Sequence, residues 1–124
     1  MKILITGSNG FIGNHLSRAI ESEHYIIGQG KGATKAPSNT DDFFQININS
    51  QSDWTNCLCG VDGVIPLAAV AHNNSSDQDY INEVNVKGTI KLARQAASRG
   101  VRRFIFISSI GVLGNKTTEP FNEF

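Results

Sequence analysis

The chain has 124 residues, which is enough for one domain (1–124) with a buried core but small for a complete doubly wound sheet. Eleven basic and eleven acidic residues balance, so the composition points away from a nucleic-acid or an anionic membrane partner. No apolar run reaches the length of a membrane span, and Met1 leads into an apolar strand with no signal peptide, so we expect a cytoplasmic protein.

The first predicted elements are an apolar strand at residues 2–6 and a helix at residues 11–23. The predicted core-facing stripe of this helix is Ile12, Leu16, Ala19 and Ile20. The turn between them has the spacing Gly-x-x-Gly-x-x-Gly, at Gly7, Gly10 and Gly13. This order is typical of the phosphate-binding start of a dinucleotide-binding unit, because glycine permits close backbone approach and a helix N-terminus attracts anions. A strand–helix turn without a ligand is the alternative.

A second strand is predicted at residues 24–28 and is followed by Gly30 and Lys31. A site that prefers NAD usually carries an acidic residue at this strand end, where it bonds the adenosine ribose hydroxyls. This chain has no acidic residue there. Lys31 is a candidate for attracting the 2′-phosphate of NADP, but a solvated lysine on the predicted loop over residues 30–40 fits equally well. The choice between NAD and NADP therefore stays open.

Residues 43–48 alternate as a third strand, and residues 51–58 are predicted to form a short helix with Trp54 in the core or in a groove wall. A fourth strand ends in the small residues Ala68 and Ala69. Ligands bind outside the carboxyl ends of parallel strands, so a cofactor is expected to pass close to the backbone here.

A polar loop at residues 72–78 leads into the longest predicted helix, residues 77–98, which Gly100 ends. Asn85 lies beside the buried stripe of that helix, so we expect its side chain to be hydrogen-bonded. A fifth strand then ends at Ser109, in position for a ligand.

The sequence predicts reduced cysteines and no metal site. On a helix, Cys57 and Cys59 would point to different sides, which disfavours a disulfide. A Cys-x-Cys pair without a histidine cluster supplies too few metal ligands, and His15 and His24 have no partner at ligand spacing.

The order β-α-β-(loop)-β-α-β-α-β predicts an α/β fold, a Rossmann-like three-layer sandwich with a parallel sheet of about five strands. Four stretches then carry a family resemblance: Thr6–Gly13, Val64–Ala69, Asn85–Thr89 and Phe104–Ser109. Together they resemble the N-terminal part of the extended short-chain dehydrogenase/reductases, in particular nucleotide-sugar epimerases and dehydratases of the UDP-glucose 4-epimerase type.

The resemblance implies NAD or NADP as cofactor, with the glycine loop at its pyrophosphate. It also implies that Asn85 braces the site and that Ser109, as the catalytic residue, bonds the reacting hydroxyl of a sugar nucleotide. The implied cofactor-binding residues are Gly7, Asn9, Gly10, Phe11, Ile12, Gly13, Lys31, Asn47, Ile48, Leu67, Ala68, Ala69 and Asn85. In this family a tyrosine, its pKa lowered by a lysine, acts as the base while hydride passes to the cofactor.

The chain departs from the family pattern in several places. It has no Tyr-x-x-x-Lys motif, because neither Tyr25 nor Tyr80 is followed by lysine at that spacing. The stretch 119–123 resembles the loop just before that motif, so the sequence is expected to stop short of it. Pro66 replaces a histidine, and Asn47 stands where the family usually has an aspartate near the adenine.

These features are interpreted as a truncated NAD(P)-binding part of a nucleotide-sugar epimerase/dehydratase, inactive by itself. The alternatives are a non-catalytic NADP-binding sensor, which a parent gene without Tyr-x-x-x-Lys would favour, and a folded fragment that binds nothing. A truncated sheet leaves strand five or its neighbour as an open edge, so homodimer formation across that edge is a further expectation.

Overall fold

The computed structural model describes residues 1–70 and 77–109. Its centre is a parallel five-stranded sheet in the order β3-β2-β1-β4-β5. The strands are β1 (Lys2–Thr6), β2 (Tyr25–Gly30), β3 (Asp42–Gln45), β4 (Gly63–Pro66) and β5 (Arg103–Phe104). This sheet confirms the predicted α/β, Rossmann-like class. The predicted loop at 72–78 falls mainly, and the stretch 119–123 entirely, outside the described residues.

Helices lie along both faces of the sheet. They are α1 (Phe11–Ile20), α2 (Gln78–Asn82), a π-helical segment (Glu83–Gly88) and α3 (Thr89–Ser98). The last three follow one another without a break and match the predicted long helix, and Gly100, with a φ of +75°, ends it as predicted. None of the helices within the two described ranges has the length and apolar character needed to cross a bilayer.

Side chains of successive strand residues point to opposite faces and fill two separate cores, which gives the sandwich its three layers. The core beneath α1 consists of Ile3, Ile5, Ile26 and Ile65, with Leu16 and Ile20 of the helix packed against it. The core beneath α3 includes Leu4, Ile27, Trp54, Leu58, Val64, Leu92 and Ala96. Trp54 is fully buried in this second core, which agrees with its predicted packing role.

The helix α1 faces the sheet with a different stripe from the predicted one. Ile12 is 59% exposed and Ala19 is also exposed, so their predicted core positions are wrong. Gly13 and Ser17 are buried instead, one turn apart, and Ser17 Oγ donates to the carbonyl oxygen of Gly13 at 2.8 Å. These small residues let α1 lie close to the glycine loop. The helix also ends at Ile20, earlier than predicted.

The third strand and the predicted short helix differ most from expectation. β3 ends at Gln45, which lies opposite Gly30, the last residue of β2. Residues 51–58 form turns rather than a regular helix. The backbone N–H of Trp54 donates to Oε1 of Gln95 at 2.7 Å, and the Trp54 side chain is fully buried. Tertiary contacts with α3 therefore replace the local helix that the sequence predicts.

β5 is much shorter than predicted, and β2 is displaced slightly towards the C-terminus relative to residues 24–28. The last backbone bond between β4 and β5 runs from Ile105 N to Val64 O at 2.9 Å. In a parallel ladder the next donor would be the N–H of Pro66, which proline lacks. The stretch 105–107 therefore leaves the ladder, and its apolar side chains are at least half exposed.

The packing of Gly13 predicts an unequal response of two buried glycines to alanine. At Gly13 a Cβ would overlap the carbonyl oxygen of Gly7 and lie 2.8 Å from Cα of Ser8. We expect Gly13→Ala to lower the free energy of unfolding by about 2 kcal/mol or more. Gly63→Ala is the control, because its Cβ would meet nothing closer than 3.8 Å. Chemical denaturation measures both variants, and equal losses would contradict the tight packing of α1.

Candidate functional site

A cavity of about 830 Å³ opens at the carboxyl edge of the sheet. Its walls come from the segments that follow β1, β2, β3 and β4 and from the beginning of the long helix. β1 has β2 on one side and β4 on the other, so the chain connections diverge at β1. This is the topological switch point at which open α/β sheets bind their ligands.

Most of the predicted cofactor-binding residues line this cavity, and others do not. Those that line it are Gly7, Asn9, Gly10, Lys31, Asn47, Ile48, Leu67, Ala68 and Ala69. Phe11, Ile12, Gly13 and Asn85 are not among the lining residues. Sequence reasoning missed further lining residues, namely Gln29, Asn49, Gln51, Val70, Tyr80, Glu83 and Val84.

The glycine loop fits closely against the end of β4. Gly7 has a φ of +65°, and a Cβ on it would lie 2.9 Å from Cα of Ala68. Oγ1 of Thr6 accepts hydrogen bonds from the N–H groups of Leu67 and Ala68, both at 3.1 Å. The loop and the Ala68 segment therefore form one continuous wall of the cavity.

The N–H of Gly7 is already used within the protein, since it donates to Oε1 of Gln29 at 3.0 Å, and the N–H of Gly10 donates to the carbonyl oxygen of Gly7 at 2.9 Å. The helix α1 has no side-chain cap at Gly10. Its first-turn N–H groups, at Phe11 and Ile12, have no partners within the helix and are the donors that the fold offers to an anion. The side chains of Phe11 and Ile12 are apolar and exposed, so the backbone N–H groups are the part of these residues that would bind an anion.

Gln29 is a buried polar residue that sequence reasoning did not select. Its side chain is 1% exposed, accepts from Gly7 N, and donates from Nε2 to the carbonyl oxygen of Ile46 at 2.6 Å. It thus joins the glycine loop to the segment that follows β3. A polar residue inside an otherwise apolar strand requires hydrogen-bond partners, and that was the available signal.

Asn85 has the hydrogen bonds expected for it. Its Oδ1 accepts from the N–H of Val70 at 2.8 Å, and its Nδ2 donates to the carbonyl oxygen of Val70 at 3.0 Å. Val70 lines the cavity and Asn85 does not. The side chain therefore positions the wall that follows β4 and does not reach into the cavity itself.

Glu83 and Gly88, at the two ends of the π-helical segment, hold the wall that follows β3. Glu83 accepts from both the N–H (2.9 Å) and the hydroxyl of Ser50, and Lys87 Nζ lies 3.4 Å from its other oxygen. A Cβ on Gly88 would overlap Cγ2 of Ile48. Wider π turns are found frequently at functional sites, and here the π-helical segment places Glu83, Asn85 and Gly88 against the cavity walls.

Ser109, the predicted catalytic residue, lies beyond β5 with an exposed side chain. It is not among the described residues that line the cavity.

Both cysteines are free, as predicted. Burial, with a smaller contribution from the charge of Asp53, raises the pKa of Cys57 to about 12, so its thiol stays protonated and packs as an apolar group. Within residues 1–70 and 77–109, no three His, Cys, Asp or Glu side chains come close enough together to hold a metal ion.

Comparison with known proteins adds a family and several relatives. The model of the NAD dependent epimerase/dehydratase family matches residues 3–124. The UDP-glucose 4-epimerase of Vibrio cholerae is 39% identical over 123 residues, which covers 93% of this chain and 37% of that protein. The chain therefore spans little more than a third of the length of this relative.

Two solved structures share the fold. UDP-glucuronic acid 4-epimerase from Bacillus cereus, in complex with UDP-glucuronic acid and NAD, has a TM-score of 0.80 and 27% identity, covering 99% of this chain and 44% of that one. A short-chain dehydrogenase/reductase superfamily protein from Agrobacterium tumefaciens with bound NAD has a TM-score of 0.70 and 30% identity, covering 88% and 33%.

The hydrogen bonds to Glu83 predict a pH-dependent contribution to stability. The Ser50 hydroxyl, then its N–H, and more weakly Lys87, hold the pKa of Glu83 below its ordinary value of 4.5. A lowered folded-state pKa gives stability that is present above the unfolded-state pKa and is lost as pH falls through the folded-state pKa. We expect Ser50→Ala to move the pKa of Glu83 upwards in an NMR titration. Its destabilisation should be largest above pH 4.5 and should shrink in more acidic solution.

Ser98→Ala is the matched control, because the Ser98 hydroxyl is exposed and donates within its own helix, to the carbonyl oxygen of Gln95 at 2.9 Å. Its effect on unfolding should not change between neutral pH and pH 4. A Ser50→Ala effect that is equally independent of pH would contradict the assigned role of Glu83.

Proposed function

This chain belongs to the NAD dependent epimerase/dehydratase family, and on that premise we propose that the cavity at the carboxyl edge of its sheet binds the nicotinamide dinucleotide. The observation that carries the proposal is the position of the glycine loop. It lies at the switch point of the sheet, with Ala68 against Gly7 and the first turn of α1 beside it. A pyrophosphate has backbone donors and no obstructing side chain there.

In this proposal, each wall of the cavity binds a different part of the dinucleotide. The N–H groups of the first turn of α1 bind the pyrophosphate, because the helix dipole is positive there. The side after β2 and β3, with Lys31, Asn47 and Ile48, receives the adenosine half. The side after β4, where Ala68 and Ala69 are small, leaves room for the ribose next to the nicotinamide. Asn85 supports that side through Val70.

The whole protein is proposed to act on a sugar nucleotide, in line with the UDP-glucose 4-epimerase of Vibrio cholerae and the Bacillus cereus enzyme bound to UDP-glucuronic acid. The bound cofactor supplies hydride acceptance and return at a sugar carbon. In this chain Ser109 is proposed to bond the reacting hydroxyl. The predicted cytoplasmic location and the homodimer across the β5 edge belong to the same proposal.

Blocking the cavity tests dinucleotide binding directly. Ala69 is exposed and lines the cavity, so Ala69→Phe should fill the path of the cofactor without disturbing the core. We expect it to weaken NADH binding by about a hundredfold or more, measured by calorimetry, with an unchanged melting temperature. Ala97→Phe, on an exposed position of α3 away from the cavity, should leave binding unchanged. Undiminished binding by Ala69→Phe would refute the assigned cavity.

The 124-residue chain by itself is proposed to bind cofactor without turnover. No tyrosine in it is followed by lysine four residues later, so it holds no Tyr-x-x-x-Lys base. Incubation with UDP-glucose and NAD should leave the sugar nucleotide unchanged by chromatography. Formation of UDP-galactose would show that another group supplies the base.

A further inference from the structure

We infer that the adenosine end of the cavity accepts a 2′-phosphate, so that this chain binds NADPH at least as tightly as NADH. The inference rests on the dinucleotide site proposed above. It follows from the juxtaposition of Gly30, Asn9 and Lys31 at the carboxyl end of β2, where all three line the cavity. In doubly wound folds, the residues at this strand end distinguish a ribose hydroxyl from a ribose phosphate.

A side chain at position 30 would crowd the side chains of Phe43 and Asn9. Gly30 is buried, and a Cβ on it would lie 2.8 Å from Cζ of Phe43 and 3.3 Å from both the Oδ1 and Nδ2 atoms of Asn9. A carboxylate at this strand end would repel a 2′-phosphate, and Gly30 supplies none. The neutral amide of Asn9 stands beside that position, and its N–H groups can donate to a phosphate oxygen or to a hydroxyl.

The charges around this end of the cavity favour an added anion. Lys31 follows Gly30 directly, and residues 24–40 contain Lys31 and Lys35 but no acidic residue. A phosphate monoester carries nearly two negative charges at neutral pH, and its bonds to an ammonium group are charge-assisted. Among the described residues that line the cavity, Lys31 therefore gains most from a 2′-phosphate.

The acidic residues next along the chain are directed elsewhere. A carboxylate oxygen of Asp41 accepts from the N–H of Ile26 at 2.7 Å, and one of Asp42 accepts from the hydroxyl of Tyr25 at 2.9 Å. Both bonds lie at the start of β2, at the opposite edge of the sheet from the cavity.

The acidic residue on the cavity wall is also occupied. Among the described residues that line the cavity, Lys31 is the cation and Glu83 the anion. Glu83 belongs to the helical wall and is engaged by Ser50 and Lys87. Its charge is therefore partly compensated and does not oppose a phosphate next to β2.

Backbone contacts hold Lys31 at the rim of the cavity. Its carbonyl oxygen accepts from the hydroxyl of Thr34, and the following N–H, of Gly32, donates to Oδ1 of Asn47 at 3.4 Å. Asn47 itself lines the cavity. The segment that carries Lys31 is thus connected to the adenosine side of the proposed site.

Parallel titrations of the 124-residue chain with NADH and NADPH, followed by nicotinamide fluorescence, test the inference. We expect NADPH to bind as tightly as NADH or more tightly. Lys31→Ala should weaken NADPH about tenfold through loss of a charge-assisted bond and leave NADH within about twofold. Lys35→Ala, an exposed lysine on the same segment that does not line the cavity, should change neither.

The possible failures are distinguishable. NADH binding with NADPH at least about tenfold weaker would overturn this inference and leave the dinucleotide site intact. Equal losses for both dinucleotides in Lys31→Ala would also overturn it, because Lys31 would then not read the 2′-phosphate. Binding of neither dinucleotide by the wild-type chain would refute both the site and the inference. Circular dichroism and melting temperature of each variant exclude misfolding as the cause of a loss.

Discussion

A close approach of backbone segments at the turn after β1 is the constraint on which the rest of this structure depends. Gly7 touches Ala68 across the sheet edge and is also contacted from above by Gly13 of α1, with no space for a Cβ at either glycine. Hydrogen bonds of Thr6 connect the same turn to the residues that follow β4. Hydrogen bonds of Gln29 connect it to the segment after β3. Because the ends of neighbouring strands are joined at one turn, the cavity walls next to this turn are made of backbone and small residues. Such walls suit a ligand whose phosphates bind to N–H groups.

The long helix supplies the second constraint. Its π-helical segment contacts two different walls of the cavity. Glu83 bonds Ser50 and Gly88 packs against Ile48, both on the wall after β3. Asn85 bonds Val70, on the wall after β4. A regular α-helix of the same length would rotate these positions differently, because the π turn contains more residues than the α turn. The π-helical geometry therefore determines which residues of the long helix contact the cavity walls.

The sequence predicted a parallel sheet of about five strands, the glycine loop, the long helix and the hydrogen-bonded state of Asn85, because each depends on a local pattern. It did not predict the turns at residues 51–58, since Trp54 and Gln95 meet only after folding and their contact outweighs local helix propensity. Nor did it predict the exposure of Ile12, because helical periodicity alone does not tell which face of α1 meets the sheet. Gly30 shows the same limit: its sequence position suggested a missing acid, whereas its close contacts with Phe43 and Asn9 became visible only in the structure.

By itself, the sequence determined the class of the sheet, the place of the glycine-rich turn and the family resemblance. Apolar runs and glycine spacings are properties of neighbouring residues, so they can be recognised in the sequence without the folded structure. Tertiary structure alone decided which donors of the turn are already used, which residues hold the cavity walls, and which side chains surround Gly30 at the end of β2. Those features depend on side chains far apart in sequence, such as Gly7 with Gln29 and Gly30 with Phe43, coming within bonding or contact distance.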